Sequence, residues 1–549
     1  MKKPAHWPRP ADPEAAARLQ ECFSVIGKAE ARFAKSTAGR AILDAFGGNA
    51  PYLADLAIKE PATLRDAVEH GPSPTFRKII AGLHAIKPTT PRRDLAQKLR
   101  KAKARAALTI AYADIGGIWP LAEITAALSE LAQTALRVAI RHLLTSLHDA
   151  KTIKLPHPDD PEQNCGFVAL ALGKLGAGEL NYSSDIDLVL LYDSENPVYP
   201  ASAQPLMARL ARDLVGLLSA RDEHGYVFRV DLRLRPDPAA TPPVVSLTTA
   251  LTYYESHGRT WERAAFSKAR PIAGDLSAGD QFLAAIRPFI WRKHLDFAAV
   301  ADIHGMKRQI DAAQKNAGLL GFDVKLGRGG IREIEFLAQT LSLVWGGQNF
   351  LLRIPQTLKA LHALARAGHL PDATARDLSS AYQTLRKVEH RLQMVDDRQT
   401  HELPATEAAL KAFQQKNGLA VDGVAGPDTF TSLGLGELVL LALGTTGATV
   451  KKLQEALGVP ADGQFGPATE KAVLAFQSAH GLEADGIAGP NTLIKIPAFA
   501  GQISAAQVTA SAAPEAASKK AATLPSLDPK APAQPAPAKS IWSTVKGWL

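Results

Sequence analysis

The sequence predicts a multidomain α+β chain, and three observations predict it. A 3.6-residue apolar period runs through most of residues 12–150. Two short apolar runs then flank a glycine-rich turn between Cys165 and Asp193, and a strictly alternating run follows from Tyr226 to Arg235. Finally, a stretch beginning at Phe413 recurs 63 residues further on. At 549 residues the chain is too long for one core, since single cores stop growing at about 250–300 residues.

The helical region comes first. Leu95, Leu99, Ala102, Ala106 and Ile110 recur at spacings of three and four, as do Leu121, Ile124, Leu128, Leu131 and Ala135. Pro51, Pro61, Pro72 and Pro91 punctuate the helices. The basic run Lys98, Arg100, Lys101, Lys103, Arg105 is read as a solvated helix face.

Phe167 to Leu172 reads as a buried strand. Gly173, Lys174, Gly176 and Gly178 make a flexible basic segment whose N–H groups and ammonium suit a phosphate. A second strand, Asp185 to Tyr192, opens with Asp185-Ile-Asp187. Side chains alternate along a strand, so both carboxylates share one face. Two carboxylates side by side call for a cation, and oxygen ligands with phosphate and water suit Mg²⁺. Ala203 to Ala220 is helical. Tyr226 to Arg235 then places Phe228, Val230, Leu232 and Leu234 on one face. Arg229, Asp231, Arg233 and Arg235 lie on the other. Asp231 is the expected third carboxylate, and the arginines can hold phosphate oxygens. The stretch reads as a metal–nucleotide site.

These residues resemble the nucleotidyltransferase superfamily that includes DNA polymerase β. More narrowly, Gly173-Lys-Leu-Gly-Ala-Gly-Glu-Leu-Asn-Tyr-Ser-Ser-Asp-Ile-Asp187 resembles the signature of the glutamine synthetase adenylyltransferase/adenylyl-removing enzymes. Phe228 to Pro236, Tyr253-Tyr254, Gly258 to Ala264, Lys268 to Pro271, Asp323 to Phe336 and Glu389 to Gln393 are similar to further segments of that family. The resemblance covers roughly residues 15 to 404. It implies a polymerase β-like catalytic domain with a mixed sheet, followed by a helical bundle. The wording Asn181-Tyr-Ser-Ser-Asp185 is similar to the family's amino-terminal unit, which phosphorolyses AMP from a tyrosine of glutamine synthetase and releases ADP. No second Gly-Lys-Leu-Gly…Asp-x-Asp segment follows, so the adenylylating half is expected to be missing.

The resemblance implies catalytic and metal roles for Asp185, Asp187 and Asp231. Gly173, Lys174 and Ser184 are expected on nucleotide phosphates, with Arg233 and Arg235 as helpers. Lys325, Arg328, Gly329 and Gly330 precede a helix expected to start near Ile331, where N–H groups suit a second anion such as phosphate. Mg²⁺ is the implied cofactor. The implied partners are glutamine synthetase, ADP or ATP, phosphate and a PII-type signalling protein. No nucleic-acid partner is expected.

After Pro404 the text changes. Phe413 to Phe430 recurs as Phe476 to Leu493, with Asp-Gly turns and Gly-Pro helix starts. These units resemble type 1 peptidoglycan-binding modules, small three-helix domains, and imply peptidoglycan as a partner. The second copy is complete and the first lacks its opening helix. Residues 505–540, rich in Ala, Pro, Ser and Lys, read as a disordered linker. Ile541, Trp542, Val545, Trp548 and Leu549 end the chain in a weakly ordered terminus.

The expected domains are residues 1–150 (helical), 151–275 (nucleotidyltransferase) and 276–404 (helical bundle). Residues 405–443 and 444–497 form a partial and a complete module, and 498–549 a disordered tail. Net charge is +9 and pI near 9.3, a modest basic excess compatible with phosphate-bearing partners. Cys22 and Cys165 are the two cysteines, no leader or spanning segment is evident, and a cytoplasmic location is expected. The reading is therefore an adenylyl-removing nucleotidyltransferase. The alternative is a peptidoglycan-binding protein carrying an inactive, truncated nucleotidyltransferase segment.

Overall fold

The computed structural model describes residues 7–200, 202–292, 323–327, 329–403, 448–482 and 495–499, with single positions at 441, 486, 488, 492 and 493. The chain divides into two compact units. One comprises Met1–Ala313, Glu335–Leu370 and Glu389–Thr400, the other Gln314–Ile334, Pro371–Val388 and His401–Leu549.

The first unit begins with eight helices: α1 (Pro13–Ile26), α2 (Lys28–Lys35), α3 (Thr37–Asn49), α4 (Pro51–Lys59), α5 (Pro61–His70), α6 (Pro72–His84), α7 (Arg92–Ile115) and α8 (Leu121–Asp149). Proline opens α4, α5 and α6, where its missing N–H costs no helical hydrogen bond, and Pro91 caps α7. The apolar series of α7 and all of that of α8 but Leu121 are buried.

The basic run on α7 departs from expectation. Lys98 and Arg105 are exposed, but Arg100 and Lys103 are buried. Arg100 donates to Asp222 Oδ2 at 2.7 Å and to the Ala220 carbonyl at 2.8 Å. Lys103 Nζ lies 5.9, 5.7 and 6.0 Å from the ring centres of Tyr52, Tyr226 and Phe228. Burial alone would lower its pKa, but the Asp397 carboxylate and the two tyrosines more than offset this and push it up. The period that buries Leu99, Ala102 and Ala106 also turns positions 100 and 103 inward, so these two cations face partners rather than water.

A mixed five-stranded sheet follows, of β1 (Phe167–Ala171), β2 (Ile186–Tyr192), β3 (Val230–Asp231), β4 (Val244–Ser246) and β5 (Arg270–Gly274), in the order β3-β2-β1-β5 with β4 also on β2. β1 pairs antiparallel with β2 and β5, and β2 pairs parallel with β3 and β4. Both faces are covered. Phe167, Ala169, Leu188 and Leu190 join the core shared with α1–α8 and α10 (Ala203–Ser219). Val168, Leu170, Val189 and Leu191 join a second core, with α11 (Leu247–Ser256), α12 (Thr260–Phe266), α13 (Leu276–Ala285) and α14 (Arg287–Ile290). Burial on both faces is why these strands read as unbroken apolar runs.

Two local expectations change. The glycine segment is not a loop but a short helix, α9 (Gly173–Ala177), closed by Gly178 in the left-handed region. The strand expected over Tyr226–Arg235 shrinks to the two residues of β3. Beyond it Arg235 gathers the carbonyls of Leu232, Pro238 and Thr241 into turns. Pro236, Pro238, Pro242 and Pro243 have no N–H to offer a ladder.

The helix Ile331–Trp345 starts where expected. Near the carboxy terminus, helices Ala448–Leu457 and Pro467–Ala479 enclose Val450, Leu453, Phe465, Val473, Leu493 and Ile496. Buried Gln454 accepts from Gly463 N and donates to Asp462 and Thr469. Gln477 repeats this with Gly486 N and Thr492. This core also takes in Leu441 and Phe499, and Leu441 exchanges both backbone hydrogen bonds with Ala488. The expected first module, apart from Leu441, and the tail beyond Phe499 lie outside the described residues, while Phe499, expected in the tail, packs in this core. Among the described residues no helix is long and apolar enough to cross a membrane.

Candidate active site

The site sits at the start of β2. Leu172 N donates to the Asp187 carbonyl, so β1 delivers the chain into α9 directly beside Asp187. Gly173 has φ +54°, and a Cβ there would stand 2.5 Å from Asp187 Oδ2. Glycine is required twice at this turn, by its backbone conformation and by the carboxylate against it. On the other edge of β2, Asp187 is the register partner of Asp231 in β3. Neighbouring residues of a parallel pair project to the same side, so these two carboxylates form the nucleus of the site. Asp187 shares the face of Val189 and Leu191.

Arginines dress the carboxylates. Arg233 takes both oxygens of Asp231, through Nε at 3.0 and 2.9 Å and Nη2 at 2.5 Å. Its backbone N–H adds a bond to Asp231 Oδ1 at 2.8 Å. The Arg233 side chain, with burial working against it, holds the Asp231 carboxyl below the usual range. Arg233 is itself raised, first by its hydrogen bonds to Asp231 and more weakly by the charges of Asp185 and Asp187. All three carboxylates thus act on one guanidinium.

Asp185 is engaged differently. Arg229 Nε donates to Asp185 Oδ1 at 2.6 Å, and Nη1 donates to Tyr226 Oη at 2.8 Å. The same guanidinium donates to the carbonyl and hydroxyl of Ser183. The alternating run places Arg229 on the polar face with Asp231 among arginines suited to phosphate oxygens, and here it holds Asp185.

The remaining candidates scatter. Lys174 is gripped by both oxygens of fully buried Glu389, at 3.1 and 3.2 Å. Ser184 is half-buried, immediately before Asp185. Arg235 serves the turns of the 232–241 segment rather than the carboxylates. Lys325 lies in the second unit, in a loop where several backbone N–H groups already have carboxylate partners. Asp323 Oδ1 accepts from Lys325 N and Leu326 N, and Glu333 Oε2 from Gly329 N. Two carboxylates thus sit at this helix start beside the expected anion position. Arg328 lies outside the described residues.

The Glu389–Gln393 segment holds the approach to the aspartates. Beside the Lys174–Glu389 pair, Gln393 Oε1 accepts from Ser183 N at 3.2 Å. Buried His390 reaches Asn181 Oδ1 with Nε2, and Asp114 Oδ2 with Nδ1. Its role is invisible in the sequence because more than two hundred residues separate the partners.

Among the described residues, no three acidic, histidine or cysteine side chains form a ready-made metal cluster. The donor set nevertheless fits Mg²⁺, which needs one or two protein carboxylates and completes its octahedron with water and phosphate oxygens. Asp187 and Asp231 supply the two, and the Arg233 guanidinium marks the place as one that attracts a cation.

Comparison with known proteins bears on the whole chain. The family "Glutamate-ammonia ligase adenylyltransferase" matches residues 42–285, "GlnD PII-uridylyltransferase" residues 300–426, and "Putative peptidoglycan binding domain" residues 446–496. Curated relatives carry the name bifunctional glutamine synthetase adenylyltransferase/adenylyl-removing enzyme. That of Rhodopseudomonas palustris (strain HaA2) is 46% identical over 386 residues, 69% of this chain and 39% of its own length. That of Bradyrhizobium diazoefficiens is 46% identical over 380 residues, 68% and 38% respectively. The chain therefore spans about two fifths of the length of these relatives. By these matches and the fold that carries them, the chain holds a nucleotidyltransferase domain of the glutamate-ammonia ligase adenylyltransferase family, a uridylyltransferase-like segment and a peptidoglycan-binding domain.

Proposed function

We propose that this chain removes AMP from an adenylylated tyrosine of glutamine synthetase by phosphorolysis, releasing ADP, and so acts in the regulation of nitrogen assimilation. The observation that carries the reading is the Asp187–Asp231 register pair beside the Gly173 turn. The Asn181–Asp185 wording, similar to the family's amino-terminal unit, favours removal over attachment. Orthophosphate oxygen bonds to the AMP phosphorus while the bond from phosphorus to the tyrosyl oxygen breaks, and the phenolate takes a proton. Magnesium, when bound, supplies charge neutralisation to the phosphoryl oxygens. The protein's own part is positioning. Asp187 and Asp231 would hold the cation, and Gly173 lets the backbone approach. Arg229 fixes Asp185 and Ser183, and Glu389 fixes Lys174. Such chemistry depends on placement more than on covalent participation. ATP and ADP belong to the cytoplasm, which is the proposed compartment.

The test is purified full chain with adenylylated glutamine synthetase, phosphate and Mg²⁺. ADP should appear only with phosphate present, and Asp187→Asn should abolish it while leaving the fold intact. Incorporation of labelled AMP into unmodified synthetase, with no ADP release, overturns the direction. A second reading is favoured by the closed core around Gln454 and Gln477: the module binds peptidoglycan. Co-sedimentation of the full chain with insoluble peptidoglycan checks it.

A further inference from the structure

Arg233 is 83% exposed at its side chain, yet it occupies both oxygens of Asp231, whose side chain is 14% exposed. Three side-chain contacts of 2.5–3.0 Å and the backbone N–H at 2.8 Å converge on that one carboxylate. A divalent cation takes a carboxylate oxygen at about 2.0–2.1 Å. Arg233 already reaches both oxygens, so a metal ion arriving at Asp231 competes with the guanidinium for them. The arginine is the one free to move, because an exposed side chain can swing aside without disturbing a core. It need not move far to be useful, since a planar fork suits phosphate oxygens as well as carboxylate ones.

We propose that Arg233 is the resident counter-cation of the Asp187–Asp231 pair, displaced from Asp231 by the incoming metal and thereby released to a phosphate oxygen of the substrate. This deepens the metal-dependent nucleotidyl-transfer reading and rests on it. Metal and phosphate are then coupled through one side chain. Each tightens the other by the same factor, as linkage requires.

The experiment uses the full chain, with Mn²⁺ as the probe and binding read by electron paramagnetic resonance, without substrate. Arg233→Ala should bind Mn²⁺ about two- to five-fold more tightly than the unaltered chain, the range expected on removing an exposed competing ion pair. Arg233→Lys should fall between the two. Inorganic phosphate, titrated at saturating Mn²⁺, should bind Arg233→Ala more weakly. Opposite signs for the two ligands are the signature of an exchange, and an ordinary surface ion pair does not produce them. Equal or weaker Mn²⁺ binding by Arg233→Ala overturns the proposal, as does unchanged phosphate affinity. Asp187→Asn separates the two levels. If it binds Mn²⁺ like the unaltered chain, the metal reading itself fails, and the exchange with it.

Discussion

Gly173→Ala offers a test in which geometry and chemistry separate. The added methyl would sit 2.5 Å from Asp187 Oδ2, where ordinary contact begins at 3.4 Å. The carboxylate must therefore retreat by about 0.9 Å, or the turn must open. A displacement of about 1 Å at a reacting centre costs on the order of 100-fold in rate, equivalent to about 2.7 kcal/mol of barrier. The same substitution forces an L-residue to φ +54°, a strain of about 1–2 kcal/mol. Gly178 is the control. It has φ +71° and nothing within 4 Å of an added Cβ, so Gly178→Ala carries the backbone strain without the collision. Gly178→Ala should lose about 1–2 kcal/mol in urea denaturation, and Gly173→Ala at least as much. Only Gly173→Ala should lose about 100-fold in phosphate-dependent ADP release from adenylylated glutamine synthetase. Equal activity in the two would refute the idea that Gly173 exists to make room for Asp187.

Four further outcomes are expected. Lys103→Met removes the cation from its aromatic cage and should destabilise by about 2 kcal/mol or more, whereas Lys98→Met on the exposed face stays within about 0.5 kcal/mol. Since the folded pKa of Lys103 is raised, its contribution is complete below the unfolded value near 10.4 and is lost only as pH climbs through the folded value. Alkaline denaturation of the unaltered chain should therefore show no Lys103-dependent loss up to about pH 10. Glu389→Ala removes the fully buried carboxylate that grips Lys174 and should cost about 3–5 kcal/mol by chemical denaturation, the penalty for breaking a buried pair. A fragment of residues 441–499 should melt cooperatively by circular dichroism, at a higher temperature than one of residues 444–496, because the shorter one loses Leu441 and Phe499 from its core.

The sequence by itself determined a good deal. Periodicity placed α7 and α8, because helical burial follows a 3.6-residue rule that needs no partner to read. Apolar runs placed β1 and β2, and Asp185-Ile-Asp187 with its glycine turn marked the candidate site. What it could not determine were pairings across long separations. Alternation alone extended β3 through Arg235, but whether a strand continues depends on a partner edge. Beyond Asp231 the Arg235 side chain and the prolines turned the chain into carbonyl-bonded turns. A charged run on α7 looked solvated because composition does not reveal which residues α7 faces. Only packing showed Arg100 on Ala220 and Asp222, and Lys103 among three rings. The arginines on the aspartates and the grip of Glu389 on Lys174 likewise belong to tertiary structure. Local pattern sets which side chains can meet a neighbour, and the fold decides which neighbour arrives.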